Sequence, residues 1–374
     1  MNILVASDKF KHSLSSLEAC RAIESGLSKR SEKFNIQILP MADGGDGLSE
    51  IIEYYTSSKI HALRVSDPLF RMIDSSLLIS KSGKTAFIEM AKASGLQLLR
   101  PEEYNCMYTS SFGTGELIKE AIRLQAKNII IGIGGSATND CGIGMAAALG
   151  YCFLDKNGFE LQPTGKNLQF IAHIDSTKCI DFKHTKFTVA CDVKNLLTGQ
   201  NGATRVYAAQ KGASPEDIHE LENGMQHFAR IIKKELGKDL SSVEGAGAAG
   251  GLGAGCMAFL DADLTSGIEM ILEISEAEKY IREADLIITG EGRLDAQSLS
   301  GKVLSGIGPL CKKYNKPLIA FCGEITISPE QLDSIHVSRG YVINVDKLSR
   351  EEGFRQAGNL LAETVFWFEN EFIR

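Results

Sequence analysis

The sequence NIIIGIGGSATNDCGIGMAAALG, residues 128–150, constrains the fold of this chain more than any other stretch. It begins with the apolar run 129–131, which predicts a buried strand, and it ends in small residues suited to a tightly packed helix. Between them lies a loop of glycine and polar residues. A strand, a glycine loop and a helix in this order predict a phosphate site at the N-terminus of the helix.

The glycines of this loop leave no side chain in the way, so their amide groups can approach a phosphate closely. The hydroxyl and amide side chains that follow can hydrogen-bond to phosphate oxygens, whereas Asp140 would repel them unless a divalent cation lay between. The candidate phosphate ligands are Gly134, Gly135, Ser136, Thr138 and Asn139.

A dinucleotide-binding unit is the alternative interpretation of the same loop. Gly132, Gly134 and Ala137 satisfy the looser G-x-G-x-x-A pattern. Asp155 ends a strand-like segment 21 residues after Gly134, as an NAD-binding unit requires. Against this interpretation, the polar cluster 136–140 occupies the place where the helix of such a unit begins. An NAD-dependent oxidoreductase stays open from the residues alone.

Length, charge and cysteine content narrow the class of protein. The chain has 374 residues, more than a single core usually supports, so two domains are expected. Its net charge is −7 and its pI about 5.6, without a basic tract, which argues against a nucleic-acid partner. The N-terminus has no signal-peptide pattern, and no apolar run is long enough to span a membrane. Nine cysteines without a C-x-x-C pair favour reduced thiols and a cytoplasmic protein.

The first strand, predicted over residues 2–6, runs into the polar segment SDKFKHSLSS. Asp8 and Lys11 lie just beyond the carboxyl end of this strand, which is where open α/β sheets place their ligand crevices. A solvated turn is the alternative. The helix that follows is expected to begin with Ser15 or Ser16 as its cap.

The segment PMADGGDG carries two carboxylates, Asp43 and Asp46, on an irregular glycine turn. Mg²⁺ takes oxygen ligands and usually keeps waters and substrate phosphates, so such a pair suits it. An Asx turn that caps the next helix, starting near Leu48, is the alternative. Asp192 ends a strand predicted over 187–192 and is a further candidate for metal binding or general-base work, with capping of the next turn as its alternative.

Near the end of the chain, residues 286–288 predict a strand, 289–295 a polar loop and 316–321 the next parallel strand of a βαβ unit. Arg293 in this loop offers a bidentate fork for a carboxylate or a phosphate. Asp295 can accept a proton from a substrate hydroxyl. A salt-bridged loop is the alternative.

Two further stretches bear on the fold. Residues 60–99 change to short strands joined by polar turns, which is typical of a mixed or antiparallel sheet and indicates a second domain. Residues 245–256, GAGAAGGLGAGC, contain a formal G-x-G-x-x-G but lack a preceding strand, so a dinucleotide fingerprint is not expected there. Such small residues instead let the backbone approach a ligand, or let two domains pack closely.

Together these loops supply the parts that phosphoryl transfer needs. These are amide groups around phosphates, carboxylates for Mg²⁺, a cation for developing charge and a base near the acceptor hydroxyl. A P-loop is excluded, because Lys302 is followed by Val303 where that motif needs serine or threonine. The residues alone therefore favour a phosphotransferase of another fold, with the oxidoreductase as its competitor.

Six segments, taken in order, resemble the successive motifs of the type 1 glycerate kinase family. They are DKFKHSLSS at 8–16, PMADGGDG at 40–47, GIGGSATND at 132–140, ACDVKN at 190–195, GAAGGLG at 247–253 and TGEGRLDAQSLSGK at 289–302. The resemblance runs over almost the whole chain. It implies ATP-dependent phosphorylation of D-glycerate, usually at the 2-hydroxyl, with Mg²⁺ as cofactor and with 2-phosphoglycerate and ADP as products.

The resemblance also implies a fold of two α/β domains with the active site in the cleft between them. A Rossmann-like domain with a parallel sheet would join both chain ends, over residues 1–60 and 250–374. The inserted α/β domain, residues 61–249, would hold a mixed sheet. D-glycerate is then the small-molecule partner, neither nucleic acid nor a membrane is expected, and a homodimer is a candidate assembly.

Within these motifs the resemblance suggests roles for the candidate residues. The glycine loop would hold the nucleotide phosphates. Lys11 and Arg293, with Asp8 beside them, would hold the glycerate carboxylate or the migrating phosphoryl group. The ligands predicted for Mg²⁺, directly or through water, are Asp43, Asp46 and Asp192.

Asp295 is the candidate base for the acceptor hydroxyl, and Asp192 is its rival. A protein that senses a nucleotide or a sugar acid without turning it over is the remaining alternative. A sensor would not need both a metal cluster and a base, so these residues favour catalysis.

Overall fold

The computed structural model describes residues 1–42, 48–295, 303–343 and 349–368. The strands are β1 (Asn2–Val5), β2 (Asn35–Ile38), β3 (Lys59–Ser66), β4 (Met72–Ile79), β5 (Thr85–Glu89), β6 (Asn128–Gly132), β7 (Cys152–Leu154), β8 (His173–Asp175), β9 (Lys186–Ala190), β10 (Asp263–Thr265), β11 (Leu286–Leu294), β12 (Leu318–Ile325) and β13 (Arg339–Val342). The α-helices are α1 (Ser16–Ser28), α2 (Leu48–Thr56), α3 (Ala91–Ser94), α4 (Phe112–Arg123), α5 (Ile143–Ala148), α6 (Ala203–Tyr207), α7 (Pro215–Leu236), α8 (Ala248–Leu260), α9 (Gly267–Ile274), α10 (Ala277–Glu283), α11 (Val303–Lys313), α12 (Pro329–Ser334) and α13 (Arg350–Trp367). Within these described segments, no helix is both long and apolar enough to cross a membrane.

The chain divides into two compact units. The first unit comprises residues 1–43 and 266–374, and the second comprises residues 44–265. These limits differ from the predicted boundaries near residues 60 and 250 in the placement of helices α2 and α8 and of strand β10. Helix α2 packs against β5, and α8 packs against β9 and β10, so both helices belong to the second unit.

The first unit is built on a five-stranded sheet with the order β2-β1-β11-β12-β13, in which every pair of neighbours is parallel. Ile3 and Val5 of β1 are buried together with Ile23 of α1 and with Leu361 and Val365 of α13. The order of the strands reverses between β1 and β11. That junction is the topological switch point at which open α/β sheets bind ligands, and the predicted parallel-sheet domain is confirmed.

The second unit holds a six-stranded mixed sheet with the order β10-β9-β6-β5-β4-β3. Strands β3, β4 and β5 pair antiparallel, whereas β5, β6, β9 and β10 pair parallel. Ile129 and Ile131 of β6 are fully buried, as the apolar run predicted. The predicted mixed sheet of the inserted domain is therefore confirmed.

One predicted loop is a strand in the structure. Residues 289–294 continue β11, which pairs with β12 as far as Leu294 and Ile325. Gly290 and Gly292 suggest a loop by their residue type, but they keep the strand free of side chains where the segment after β1 crosses it. A Cβ on Gly292 would lie 3.2 Å from the amide of Lys11. The prediction of a loop over 289–295 was thus wrong, because close packing rather than a turn requires these glycines.

Candidate active site

The structure brings the segment after β1 and the carboxyl end of β11 together at the switch point of the first unit. The Asp8 amide donates to the Gly290 carbonyl at 2.8 Å, and the Lys11 backbone lies against Gly292. Asp8 is only 6% exposed, and its carboxylate accepts a hydrogen bond from the amide of Lys9. Two segments that are more than 280 residues apart in sequence therefore meet at one edge of the sheet.

Arg293 and Asp295 lie at the same edge, at the end of β11. The Arg293 Nε is 3.7 Å from Asp295 Oδ2 and 3.4 Å from Glu324 Oε2 of β12. The Arg293 side chain is 58% exposed, so its guanidinium can reach a ligand without leaving the surface. The four candidates that the sequence placed near glycerate thus share one edge, and Glu324 joins them as an unpredicted neighbour.

In the second unit, the glycine loop leaves β6 at the carboxyl edge of the parallel strands. Gly135 is exposed and has a φ of +73°, a conformation that glycine adopts without strain. The amides of Gly134 and Gly135 donate to no acceptor among the residues that the structure describes. A hydrogen bond fixes the loop to α3: the Ala137 amide donates to the Ser94 carbonyl at 2.9 Å. The loop therefore carries two backbone donors without an acceptor, one on the half-buried Gly134 and one on the exposed Gly135.

Asp192 leaves the sheet beside this loop. Gly132 of β6 and Ala190 of β9 are partners in register, so Gly134 and Asp192 each follow two residues beyond a matched pair. The Asp192 side chain is half-buried. A carboxylate consequently lies at the same sheet edge as the predicted phosphate loop.

Thr138 and Asn139, predicted as phosphate ligands, are both fully buried. Asn139 Nδ2 donates to Thr204 Oγ1 at 3.0 Å. Within the described part of the chain, Thr138 Oγ1 and Asn139 Oδ1 have no hydrogen-bond partner. In this conformation both side chains face the interior of the second unit. Ser136 is buried as well but keeps 8% of its surface exposed, while Gly134 is half-buried and Gly135 is exposed.

The helix after the glycine loop is not a free phosphate site, and this part of the prediction was wrong. Helix α5 begins only at Ile143, and the Asp140 carboxylate accepts hydrogen bonds from the amides of Gly142 and Gly144 at its start. Burial raises the pKa of Asp140, while its four hydrogen-bond donors act in the opposite direction. A carboxylate of the chain itself therefore occupies the position that the sequence suggested for a phosphate.

Lys211 is a residue that the sequence analysis missed. It is 3% exposed, and its Nζ donates to Ser136 Oγ at 2.6 Å and to the Thr138 carbonyl at 2.7 Å. Burial lowers its pKa to about 8. The surrounding sequence, AAQKGA, carries no signal that would distinguish this lysine from a solvated one.

The glycine segment 245–256 packs against the same loop from within its own unit. Gly250 has a φ of +68°, and a Cβ there would overlap the Thr138 carbonyl. Gly255 faces the backbone of Cys141 in the same way. The sequence analysis expected these small residues to let the backbone approach a ligand or to let two domains pack closely. The contact that the structure shows is with the central loop of the same unit.

The dinucleotide interpretation of the central loop does not fit the fold. Strand β7, which precedes Asp155, pairs with β8 in a separate two-stranded antiparallel sheet and is not a neighbour of β6. The Asp155 carboxylate accepts hydrogen bonds from the amides of Asn157 and Phe159 in its own turn. The acidic residue that an NAD site requires beside the loop is therefore absent at this position.

One of the three predicted metal ligands lies within the described residues. Asp43 and Asp46 lie outside the described residues, so Asp192 is the member of the set whose position is known. Residues 1–42, 48–295, 303–343 and 349–368 contain no group of three or more histidine, cysteine or acidic side chains that could hold a metal ion. The Mg²⁺ site stays a prediction.

Comparison with known proteins decides the family. A model of the glycerate kinase family matches residues 3–367. The chain belongs to the glycerate kinase family. The family resemblance of the sequence motifs, the α/β fold and the class of enzyme are thereby confirmed, and the oxidoreductase and sensor alternatives are set aside.

Relatives in this family match over most of their length. The glycerate 2-kinase of Escherichia coli K12 is 46% identical over 327 residues, which cover 87% of this chain and 86% of that protein. A glycerate kinase of Halalkalibacterium halodurans is 41% identical over 365 residues, covering 97% and 96% of the two chains. A crystal structure from Salmonella typhimurium LT2, described as a glycerate kinase 2, superposes with a TM-score of 0.87 at 38% identity and covers 98% of this chain and 96% of its own.

Proposed function

We propose that this glycerate kinase transfers the γ-phosphoryl group of ATP to the 2-hydroxyl of D-glycerate, forming 2-phosphoglycerate and ADP. The observation that carries the proposal is the family match over residues 3–367, joined by a relative named glycerate 2-kinase at 46% identity. The two clusters of candidate residues supply matching chemistry, one for phosphates and one for a hydroxy acid.

The glycine loop fits a nucleotide phosphate tail. Gly134 and Gly135 offer backbone amides that have no acceptor in the described part of the chain. Ser136 adds a hydroxyl to the same loop. Amide and hydroxyl donors are the groups that bind phosphate oxygens without adding charge of their own. Thr138 and Asn139 remain predicted members of this set, although their side chains are buried in this conformation.

Asp192 fits a Mg²⁺ ligand, together with the predicted Asp43 and Asp46. Carboxylate oxygens suit this cation, and a half-buried carboxylate beside a phosphate loop is costly unless a cation compensates its charge. When bound, Mg²⁺ would offset the negative charge of the phosphates and of the transferring group.

Arg293 and Lys11 fit the glycerate side of the reaction. The Arg293 guanidinium can bind a carboxylate with two parallel hydrogen bonds, and Lys11 adds a second cation at the same sheet edge. Asp8 would orient these cations. Asp295, next to Arg293, would accept the proton of the attacking hydroxyl, with Asp192 as its rival for that role. A fixed carboxylate contact places one hydroxyl of the substrate near the base, and this is the basis for a single product.

The nine cysteines, all within the described residues, form no disulfide. This agrees with a reducing compartment, and we propose a cytoplasmic enzyme. A homodimer stays a prediction.

The test is Mg²⁺-dependent ADP release with D-glycerate, L-glycerate or glycerol as the acceptor. We expect release with D-glycerate and Mg²⁺ together, and none when EDTA removes the metal. Glycerol lacks the carboxylate that Arg293 would bind, so it should be a poor acceptor. Equal rates with glycerol and D-glycerate would contradict the proposed carboxylate contact.

A further inference from the structure

Lys211 contacts the glycine loop from the interior of the second unit. It ends the short 3-10 turn Ala209–Lys211, and its ammonium group reaches Ser136 Oγ at 2.6 Å and the Thr138 carbonyl at 2.7 Å. Burying an amine is unfavourable unless its hydrogen bonds are satisfied. Here the compensating acceptors both belong to the loop that carries the candidate phosphate ligands.

The bond to Ser136 also determines what the serine hydroxyl can do. An ammonium nitrogen can only donate, so Ser136 Oγ must be the acceptor of this hydrogen bond. The hydroxyl proton is then left to a different acceptor, and among the described residues Ser136 donates to none. A phosphate oxygen is a suitable acceptor, and its bond to a hydroxyl polarised by a cation is stronger than a neutral one.

We propose that Lys211 is a positioning residue for phosphoryl transfer, which fixes loop 134–138 and leaves the Ser136 hydroxyl as a donor to a nucleotide phosphate. The inference rests on the proposed function, since it takes a nucleotide as the occupant of the loop. Its two contacts, two residues apart, brace the chain on the carboxyl side of Gly134 and Gly135. Loss of either contact frees the loop to leave the phosphate-binding conformation.

The lowered pKa of Lys211 agrees with this role. Burial reduces the pKa to about 8, so the amine keeps its proton at neutral pH. The ionisable groups around it are Cys106 and Asp140. Asp140 lies at the far end of the same loop, where it binds the start of α5.

The experiment measures the affinity for a non-hydrolysable ATP analogue by isothermal titration calorimetry. The proteins are the wild type, Lys211→Met, Ser136→Ala and the double variant, each checked for folding by circular dichroism. Each single substitution should weaken binding roughly 10- to 100-fold, the range for a hydrogen bond to a charged group. The double variant should be weakened by less than the product of the two effects, because both substitutions remove the same contact. The KM for D-glycerate should stay within about twofold of the wild-type value.

Lys238→Met is the matched control. Lys238 Nζ likewise makes several hydrogen bonds within the second unit, to the backbone carbonyls of Met257 and Ala258 near the end of α8 and to the Asp261 carboxylate. A lysine that merely stabilises the fold would behave like this one. We expect Lys238→Met to bind the analogue as the wild type does.

Three results would overturn the inference. A folded Lys211→Met protein with unchanged analogue affinity is the first, and effects of the two substitutions that multiply independently are the second. If Lys211→Met fails to fold, the inference is tested by Ser136→Ala alone. The third result is then an unchanged affinity of Ser136→Ala for the analogue. A wild-type chain that binds the analogue but leaves glycerate unphosphorylated contradicts the proposed function alone, and the affinities of the variants still decide for or against Lys211.

Discussion

Asp140 Oδ2 accepts two hydrogen bonds from Ser111, one from its amide at 2.7 Å and one from its hydroxyl at 2.8 Å. Ser111 is the residue before α4, and the same carboxylate binds the amides of Gly142 and Gly144 at the start of α5. The beginnings of two helices are therefore joined through one buried carboxylate. This junction fixes the end of the glycine loop.

Replacing Asp140 by Asn should destabilise the second unit. A carboxamide has one acceptor oxygen instead of two, and its amino group would face amides that also donate. We expect the free energy of unfolding to fall by about 2 to 4 kcal/mol, measured by urea unfolding followed by circular dichroism. Ser111→Ala removes only the hydroxyl bonds and should cost about 1 kcal/mol. If the two variants lose the same free energy of unfolding, the Asp140 carboxylate does not join the two helices in the way described.

Gly250→Ala should displace the glycine loop, because Gly250 packs against the backbone of Thr138. The added Cβ overlaps the Thr138 carbonyl, and the φ of +68° strains any other residue. Affinity for the ATP analogue should fall at least about tenfold, because a misplaced loop no longer presents its donors together. Gly158→Ala is the matched control, since Gly158 also has a positive φ but has open space around it. Comparable losses of affinity in both variants would indicate that strain alone is responsible.

The stability of the protein should depend on pH through Lys211. Its pKa is about 8 in the folded protein, below the 10.5 of a solvated lysine in the unfolded chain, because burial disfavours the charged form. Between these values the unfolded state binds more protons, so the free energy of unfolding rises with pH. Relative to Lys211→Met, the wild type should gain up to about 1.4 kcal/mol per pH unit above pH 8 and show no such slope below it. Cys106 lies near the same amine, and burial raises the pKa of its thiol from 9.0 to about 11, so its own contribution to stability falls as the pH rises above 9. Both proteins carry this cysteine, so its contribution cancels in their difference, which is compared between pH 8 and 10. If the difference in the free energy of unfolding between the two proteins does not change with pH over that window, Lys211 does not titrate as a buried amine.

Arg293→Ala should strongly reduce glycerate turnover without unfolding the first unit. The side chain is 58% exposed, and its ion pair with Glu324 joins two groups that are both more than half exposed, so little stability depends on it. We expect kcat/KM for D-glycerate to fall at least about 100-fold, as when a fixed charged donor leaves an active site. The melting temperature should stay near that of the wild type.

Arg339→Ala provides the control for this variant. Arg339 begins β13, at the amino end of a strand in the same sheet, and so lies away from the switch point. Turnover should be unaffected. An Arg293→Ala enzyme as active as Arg339→Ala would remove Arg293 from the site.

Local sequence patterns predicted local structure well. Ser15 caps α1 through a capping box with Glu18, and the apolar run 129–131 forms the interior of β6. Both features depend on residues within a few positions of one another, which is the range over which periodicity and capping act. The parallel and mixed sheets also followed from strand spacing and from the resemblance to the family.

Features that depend on residues far apart in sequence could not be predicted from local sequence patterns. Lys211 lies 73 residues from Thr138, so nothing near it indicates that its side chain is buried. Gly290 and Gly292 suggested a loop because the pattern cannot reveal the backbone that crosses them. Asp155 matched a spacing, but spacing does not determine which strands pair. The roles of the candidate site residues remain predictions for the same reason, since they depend on bound substrate.

The most direct test of the central claim is phosphorus NMR of the product formed from D-glycerate, ATP and Mg²⁺. The proposed carboxylate contact and base predict 2-phosphoglycerate as the single new phosphate ester, formed in equal amount with ADP. A product consisting of 3-phosphoglycerate would contradict transfer to the 2-hydroxyl. No phosphate ester from D-glycerate at all would contradict the account as a whole.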